Sequence, residues 1–194
     1  GQGEHALEFA EPAYQAAVSA NPEMDTQILR YGYTSMTTPN SIYDYDMASR
    51  TQVLLKQEEV LGGFDARNYQ TERVHARAHD GTKIPISMVY RTGLKKDGTS
   101  PLLLYGYGAY GFSLDATFSS PRLSLIDRGF IYAIAHVRGG QELGRSWYED
   151  GKLLKKKNTF TDFIDCAEHL VRERYTSPGR LFAMGGSAGG LLMG

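Results

Sequence analysis

The stretch Leu181-Phe-Ala-Met-Gly-Gly-Ser-Ala-Gly-Gly-Leu-Leu-Met-Gly194 sets one serine among four glycines, directly after an apolar run and before a second. Within it Gly185-Gly186-Ser187-Ala188-Gly189 fits G-x-S-x-G. A nucleophile on a sharp strand-to-helix turn needs small neighbours, because the serine backbone is strained and the strand and helix approach closely. Such a turn lifts the hydroxyl above a sheet and points the first N–H groups of the following helix, Ala188 foremost, at the place where an oxyanion forms. A phosphate-binding loop is the competing reading, but no G-x-x-x-x-G-K-[ST] pattern is present to supply its lysine.

Upstream of the serine, strand-like and helix-like segments alternate from about residue 70. "ERVHARAH" (72–79) and "KIPISMVYR" (83–91) flank a hairpin turn at Asp80-Gly81-Thr82, with Pro85 arguing against a central place for the second strand. "PLLLYGYG" (101–108) and "GFIYAIAHVRGG" (129–140) read as buried strands ending in glycine loops. Between them "SSPRLSLIDRG" (119–129) suits a short helix, with Ser120 as N-cap, Pro121 at the first helical position and Gly129 as the stop. Phe160, Phe163, Ile164, Ala167, Leu170 and Val171 recur at three- and four-residue steps, so a helix is expected from Thr159 to Arg174, capped by a Thr159–Asp162 pair. Strand, helix, strand, helix, strand is the pattern of a mostly parallel α/β sheet.

Residues 1–68 have another rhythm. "ILRYGYTSMT", "IYDYDM" and "TQVLLKQEEV" are separated by "TPNS" and "ASR", which suits antiparallel strands joined by tight turns. The segment is too short to be a whole sandwich or propeller and suits one propeller blade. Gly62 and Gly63 precede the change of pattern, so the expected division is 1–68 and 69–194.

Composition narrows the function classes. Across 194 residues, 41% are hydrophobic and 22% charged, which is globular composition. With 21 basic against 22 acidic residues the net charge is −1, so no global field draws nucleic acid or an anionic membrane. No apolar run approaches the roughly 20 residues that cross a bilayer. The single cysteine, Cys166, excludes an intrachain disulfide framework and a cysteine-based zinc cluster, and fits a reducing, cytoplasmic compartment. Cys166 lies within the amphipathic helix, where a core thiol is expected. The Lys152–Asn158 run "KLLKKKN" lacks aromatic interleaving and reads as a solvated loop or helix start. "YEDG" and "YDYDM" do not reproduce a calcium loop, so no metal and no cofactor is expected.

Four runs together, "RYGYTSMTTP" (30–39), "PLLLYGYGAYG" (101–111), "HVRGGQELGRSWYEDGKLLKKKNTFTDF" (136–163) and "GGSAGGLLMG" (185–194), resemble the prolyl oligopeptidase family of serine peptidases, and within it the oligopeptidase B-like branch. The resemblance implies the last part of a β-propeller followed by the first part of an α/β-hydrolase domain. It implies Ser187 as nucleophile, with the Tyr107 hydroxyl and the Ala188 N–H forming the oxyanion hole and Gly185, Gly186 and Gly189 shaping the turn. It further implies Asp115, with Tyr110 nearby, as substrate-binding residues for short peptides with a basic residue, while Thr117 stands where some relatives carry a second acid. Prolyl-type specificity or esterase activity on the same scaffold, and a non-catalytic interaction fragment, are the alternatives.

A serine needs a base, and in this fold the acid and then the histidine follow it in the chain. Neither occurs between Ser187 and Gly194. The expectation is a piece of a longer polypeptide, inactive alone, its triad completed by the remainder. His136, at the end of an apolar strand, is the upstream substitute to consider, but a packed structural histidine is the stronger reading. Arg138 and Glu142 sit in the following loop as candidates for organising the rim.

Overall fold

The computed structural model describes residues 4–194; residues 1–3, the start of the expected first segment, lie outside the described residues. Two sheets are formed. The first is an antiparallel meander of β1 (Tyr14–Val18), β2 (Ile28–Ser35), β3 (Ser41–Asp46) and β4 (Thr51–Gln57), in that order. The all-β expectation holds, with β1 as an addition: "YQAAV" lacks the aromatic and β-branched density that marks β2 and β3, and becomes a strand by pairing Tyr14 to Val18 against Ser35 to Tyr31. At its rim Glu11 accepts hydrogen bonds from four hydroxyls, those of Tyr33 (2.6 Å), Ser35 (2.5 Å), Thr37 (2.5 Å) and Thr38 (2.8 Å).

The second sheet contains β5 (Tyr69–Arg77), β6 (Lys83–Arg91), β7 (Leu102–Tyr105), β8 (Ile131–Ala135) and β9 (Leu181–Met184), in the order β5-β6-β8-β7-β9. β5, β6 and β8 pair antiparallel; β7 runs parallel to both β8 and β9. Pro85 is thus in an interior strand, contrary to expectation. The conflict is avoided because β8 pairing with β6 begins at Ile86, and Pro85 contributes only its carbonyl, which accepts the His136 N–H at 3.0 Å.

Among the described residues there are four α-helices, three in the connections and one after β9: α1 (Ser120–Ile126), α2 (Arg145–Glu149), α3 (Lys157–Arg172) and α4 (Ala188–Met193). The cap of α1 is Ser119, one residue before the expected Ser120, and Pro121 falls in the first turn. Because β6, β7 and β8 are buried on both faces, their side chains divide between two cores. Ile84, Ile86, Met88, Leu102, Leu104 and Ala133 meet Phe163, Cys166 and Leu170 of α3 on one face. Val89, Tyr132 and Ile134 meet Ile126 of α1 and, from the first sheet's end, Ala13 and Met36 on the other. Each fully buried Leu, Ile, Met or Phe side chain contributes about 1.5–3 kcal/mol.

The buried face of α3 is rotated from the expected stripe: Thr159, Asp162, Phe163, Cys166 and Leu170 face inward, while Ile164 is 55% exposed. The expected Thr159–Asp162 cap is not formed. Both lie inside the helix, and each answers a buried loop instead. Thr159 Oγ1 donates to the Arg138 carbonyl at 2.6 Å, and Asp162 accepts from the Arg138 N–H, Nε and Nη2 at 2.9, 2.9 and 2.5 Å. Arg174 lies beyond the helix end at φ 61°.

Candidate active site

Parallel pairing of β7 with β9 carries their C-terminal loops to the same rim, and the Gly106 N–H donates to the Met184 carbonyl at 3.2 Å. After β9 the chain turns within three residues into α4. Ser187 is exposed at φ 54°, ψ −120°, a conformation L-residues rarely adopt, which costs of order 1–3 kcal/mol. Its place is fixed by crowding on either side. A Cβ on Gly185 would stand 2.7 Å from the Gly189 carbonyl carbon and 3.0 Å from the Gly106 oxygen; one on Gly189 would stand 2.6 Å from that same oxygen and 3.3 Å from Tyr107 Cα. Gly186 differs, having nothing within 4 Å of a Cβ placed there. The strand-to-helix bend therefore requires Gly185 and Gly189, and leaves Gly186 sterically open.

Behind the bend, helical hydrogen bonding engages the N–H groups of Gly189 and Gly190, to the carbonyls of Gly186 and Ser187, both at 2.8 Å. That of Ala188, one residue earlier, has no backbone acceptor among the described residues. Opposite stands the loop "YGYGAYG". Tyr107 is half-buried, its ring edge-on to Phe112 at 5.6 Å, whereas Tyr110 is 79% exposed at φ 59°. The loop is pressed against the one after β8: Gly108, at φ 66°, has room for no side chain, with Val137 Cγ2 2.6 Å from a placed Cβ. Lys156, at the N-cap of α3, reaches into this seam and donates to the Gly108 carbonyl and to Thr159 Oγ1.

Asp115 follows in the chain, where the two sheets meet. Gln15 of β1 donates to its Oδ2 at 2.7 Å, and burial, then the nearby Glu142 carboxylate, push its pKa above the ordinary carboxylate value. Glu142 holds the residue before it, accepting the Leu114 N–H at 2.9 Å. His136 is buried, with Nε2 2.8 Å from Ser87 Oγ and Nδ1 3.7 Å from Glu142. Arg138 is buried between Asp162 and Asp80, its charge held firmly on by both.

The serine at positive φ, the flanking glycines and the strand order have the geometry expected from the G-x-S-x-G stretch, a tight strand-to-helix turn at the rim of an α/β sheet. A prolyl oligopeptidase family model matches residues 116–194, and the prolyl oligopeptidase N-terminal β-propeller model matches residues 1–58. Dipeptidyl aminopeptidase BI of Pseudoxanthomonas mexicana is 56% identical over 185 residues, 95% of this chain and 25% of that protein. Oligopeptidase B from Trypanosoma brucei, in its closed form with covalently bound antipain, superposes with a TM-score of 0.87 at 50% identity, covering 96% of this chain and 27% of that one. Oligopeptidase B from Leishmania major gives 0.86 at 48%, covering 96% and 26%. The chain belongs to the prolyl oligopeptidase family.

It spans about a quarter of the length of the relatives it matches. Of the residues expected to act together in a prolyl oligopeptidase site, the fold brings Ser187, Ala188, Gly189 and Tyr107 onto one rim, and Asp115 onto the surface between the two sheets. His136 is engaged by Ser87 and packed, as its place in an apolar strand implied. Two residues escaped the sequence reading, whereas Glu142, singled out only by its loop position, does hold the loop at Leu114. Gln15 carries no motif. Lys156 was masked by a lysine run in which Lys152 and Lys155 pair with Glu149 and Asp150 at the surface and Lys157 is exposed. Among the described residues there is no cluster of three or more metal-ligating side chains, and no helix long and apolar enough to cross a membrane.

Proposed function

We propose that this chain belongs to a cytoplasmic serine peptidase that cleaves short peptides after Lys or Arg through an acyl-enzyme at Ser187. The observation that carries the reading is the backbone of Ser187, held at positive φ between two glycines that admit no side chain. Ser187 Oγ attacks the scissile carbonyl carbon as its proton passes to a histidine. The carbonyl oxygen becomes an oxyanion that accepts from the Ala188 N–H and the Tyr107 hydroxyl. Collapse breaks the C–N bond, the amine leaving with the proton from the imidazolium, and water repeats the sequence to release the acid. Because the described residues offer Ser187 no base, the histidine and its acid are assigned to polypeptide beyond Gly194. On that assignment, residues 1–194 alone have no amidase activity.

Asp115 and Tyr110 are assigned to substrate binding, Asp115 to a basic side chain, Thr117 leaving the subsite with one acid. The proposed division is propeller for 1–68 and hydrolase for 69–194, with a propeller lid that limits substrates to short peptides. Comparing Arg- and Pro-containing peptide reporters with the full-length protein tests the specificity, and preference for proline rejects it. The 56% identity to a protein named a dipeptidyl aminopeptidase favours a second reading, release of N-terminal dipeptides, which N-terminally blocked reporters distinguish. Ser187→Ala is expected to abolish turnover. Tyr107→Phe is expected to lower kcat by about 10²-fold or more; an unchanged kcat would return Tyr107 to packing.

A further inference from the structure

We propose that Lys156 is a positioning residue for the oxyanion loop, fixing Tyr107 through the carbonyl of Gly108; the inference rests on the role proposed above for Tyr107.

The placement of this lysine is costly on three counts. At the N-cap of α3 its charge meets the positive end of the helix dipole. It is half-buried, and that burial pulls its pKa below the ordinary lysine value. Holding the side chain in one conformation gives up about 1.5–2 kcal/mol of rotamer freedom. Two other lysines of the run pair with acids, Lys152 with Glu149 and Lys155 with Asp150, and Lys157 is exposed to solvent. Among the described residues no carboxylate pairs with Lys156. Its ammonium instead meets the Gly108 carbonyl and, at 3.2 Å, Thr159 Oγ1. A charged donor on a carbonyl is roughly twice as strong as a neutral one.

The position of that carbonyl gives the contact its meaning. Tyr107 lies between Gly106, whose N–H is tied to the Met184 carbonyl at the base of the serine turn, and Gly108. No other hydrogen bond to the Gly108 oxygen is made by the described residues. Gly108 also needs its positive φ, and it abuts Gly139, where a Cβ would come within 2.8 Å of the Gly108 carbonyl carbon. The residues on either side of Tyr107 are thus anchored, Gly106 through its N–H by the strand that leads into the serine turn, and Gly108 through its carbonyl by Lys156. Releasing the second anchor frees the Gly108–Ala109 peptide to rotate, and the change at Gly108 passes to the backbone of its neighbour Tyr107. A displacement on the scale of 1 Å at such a donor is costly to rate.

The test uses the full-length enzyme, with concentrations normalised by titration of the active serine with a fluorophosphonate, so that misfolded protein is not counted. Lys156→Met keeps the stem and removes the ammonium; Lys156→Arg keeps a charged donor. Because an oxyanion exists only after attack, Lys156→Met is expected to lower kcat by about 10-fold or more with KM within about twofold. Lys156→Arg is expected to recover most of that loss. In a Tyr107→Phe background, Lys156→Met is expected to add less than about twofold, since the hydroxyl it positions is gone. An unchanged kcat in Lys156→Met, a loss confined to KM, or independent multiplication of the two effects would overturn the proposal while leaving Tyr107 in its role. An unchanged kcat in Tyr107→Phe would overturn the role itself, and this inference with it.

Discussion

Gln15 Nε2 donates to Asp115 Oδ2 at 2.7 Å across 100 residues of sequence, joining the first strand of the antiparallel sheet to the acid assigned to substrate. One carboxylate oxygen is thereby oriented, and on the proposed role of Asp115 the other meets the substrate cation. Gln15→Leu in the full-length enzyme is expected to raise KM for an Arg-containing reporter about 3–10-fold, the effect of losing roughly one hydrogen bond of about 1 kcal/mol. A reporter with a neutral side chain at that position is expected to change little. Equal losses on both would make the contact one of packing between the sheets.

The same carboxylate predicts a pH profile. Burial and then the Glu142 charge raise the pKa of Asp115, so its ionised form appears at higher pH than for a free aspartate. Only that form attracts a basic side chain, so kcat/KM for the Arg reporter is expected to climb with pH through an acid limb that Asp115→Asn removes. The stability sign is opposite. With the folded pKa raised, the contribution of Asp115 is full below the unfolded value and lost as pH rises through the folded one.

Glu11 works the other way. Burial raises its pKa, but the hydroxyls of Ser35, Thr37, Tyr33 and Thr38 together outweigh it, and the folded pKa lies below the ordinary glutamate value. Its contribution is therefore complete above the unfolded pKa and declines as pH falls through the folded one. Glu11→Gln, which keeps shape but not charge, is expected to destabilise the first sheet by about 1–3 kcal/mol at neutral pH. Thermal unfolding should show the difference from wild type shrinking as the medium is acidified; a constant difference would mean that the charge is not what the hydroxyls bind.

Beneath the rim, Asp162 closes a three-bond clasp on Arg138, with Asp80 as a weaker, more exposed third member at 2.6 Å. Asp162→Ala leaves a guanidinium buried with one partner, and a loss of about 3–5 kcal/mol is expected, read as a fall in Tm. A change within about 0.5 kcal/mol would show that water reaches Arg138 and that the clasp is not sealed.

What could be read from sequence followed chemistry that is local. β2 to β4, the 80–82 turn, the parallel strands and the serine turn each depend on neighbours within a few residues, where periodicity, turn residues and glycines are informative. The features that were missed depend on partners far away in the chain. Asp162 looked like a capping acid because Thr159 stands three residues before it; Arg138, 24 residues upstream, claims it instead. Pro85 looked like an edge residue, but edge status belongs to the pairing with β8, which hydropathy does not report. Lys156 looked solvated because its neighbours are, and Gln15 resembles any surface glutamine until Asp115 is placed beside it.

The two kinds of glycine around Ser187 separate steric necessity from habit. At Gly185 and Gly189 a methyl group would strike backbone, the Gly189 carbonyl carbon at 2.7 Å and the Gly106 oxygen at 2.6 Å respectively, and backbone in a packed sheet-to-helix junction has little room to withdraw. At Gly186 a methyl meets nothing within 4 Å, and φ is not in the left-handed region. Gly186→Ala is therefore expected to keep fluorophosphonate labelling of Ser187 in the full-length enzyme within about twofold of wild type, and to leave Tm unchanged or slightly higher through the lost freedom of the unfolded chain. Gly189→Ala, which pushes α4 away from the Tyr107 loop, is expected to slow labelling by about 10²-fold or more, the scale on which one misplaced oxyanion donor is felt. If the two variants label alike, the close approach of α4 to the loop does not govern the reactivity of Ser187.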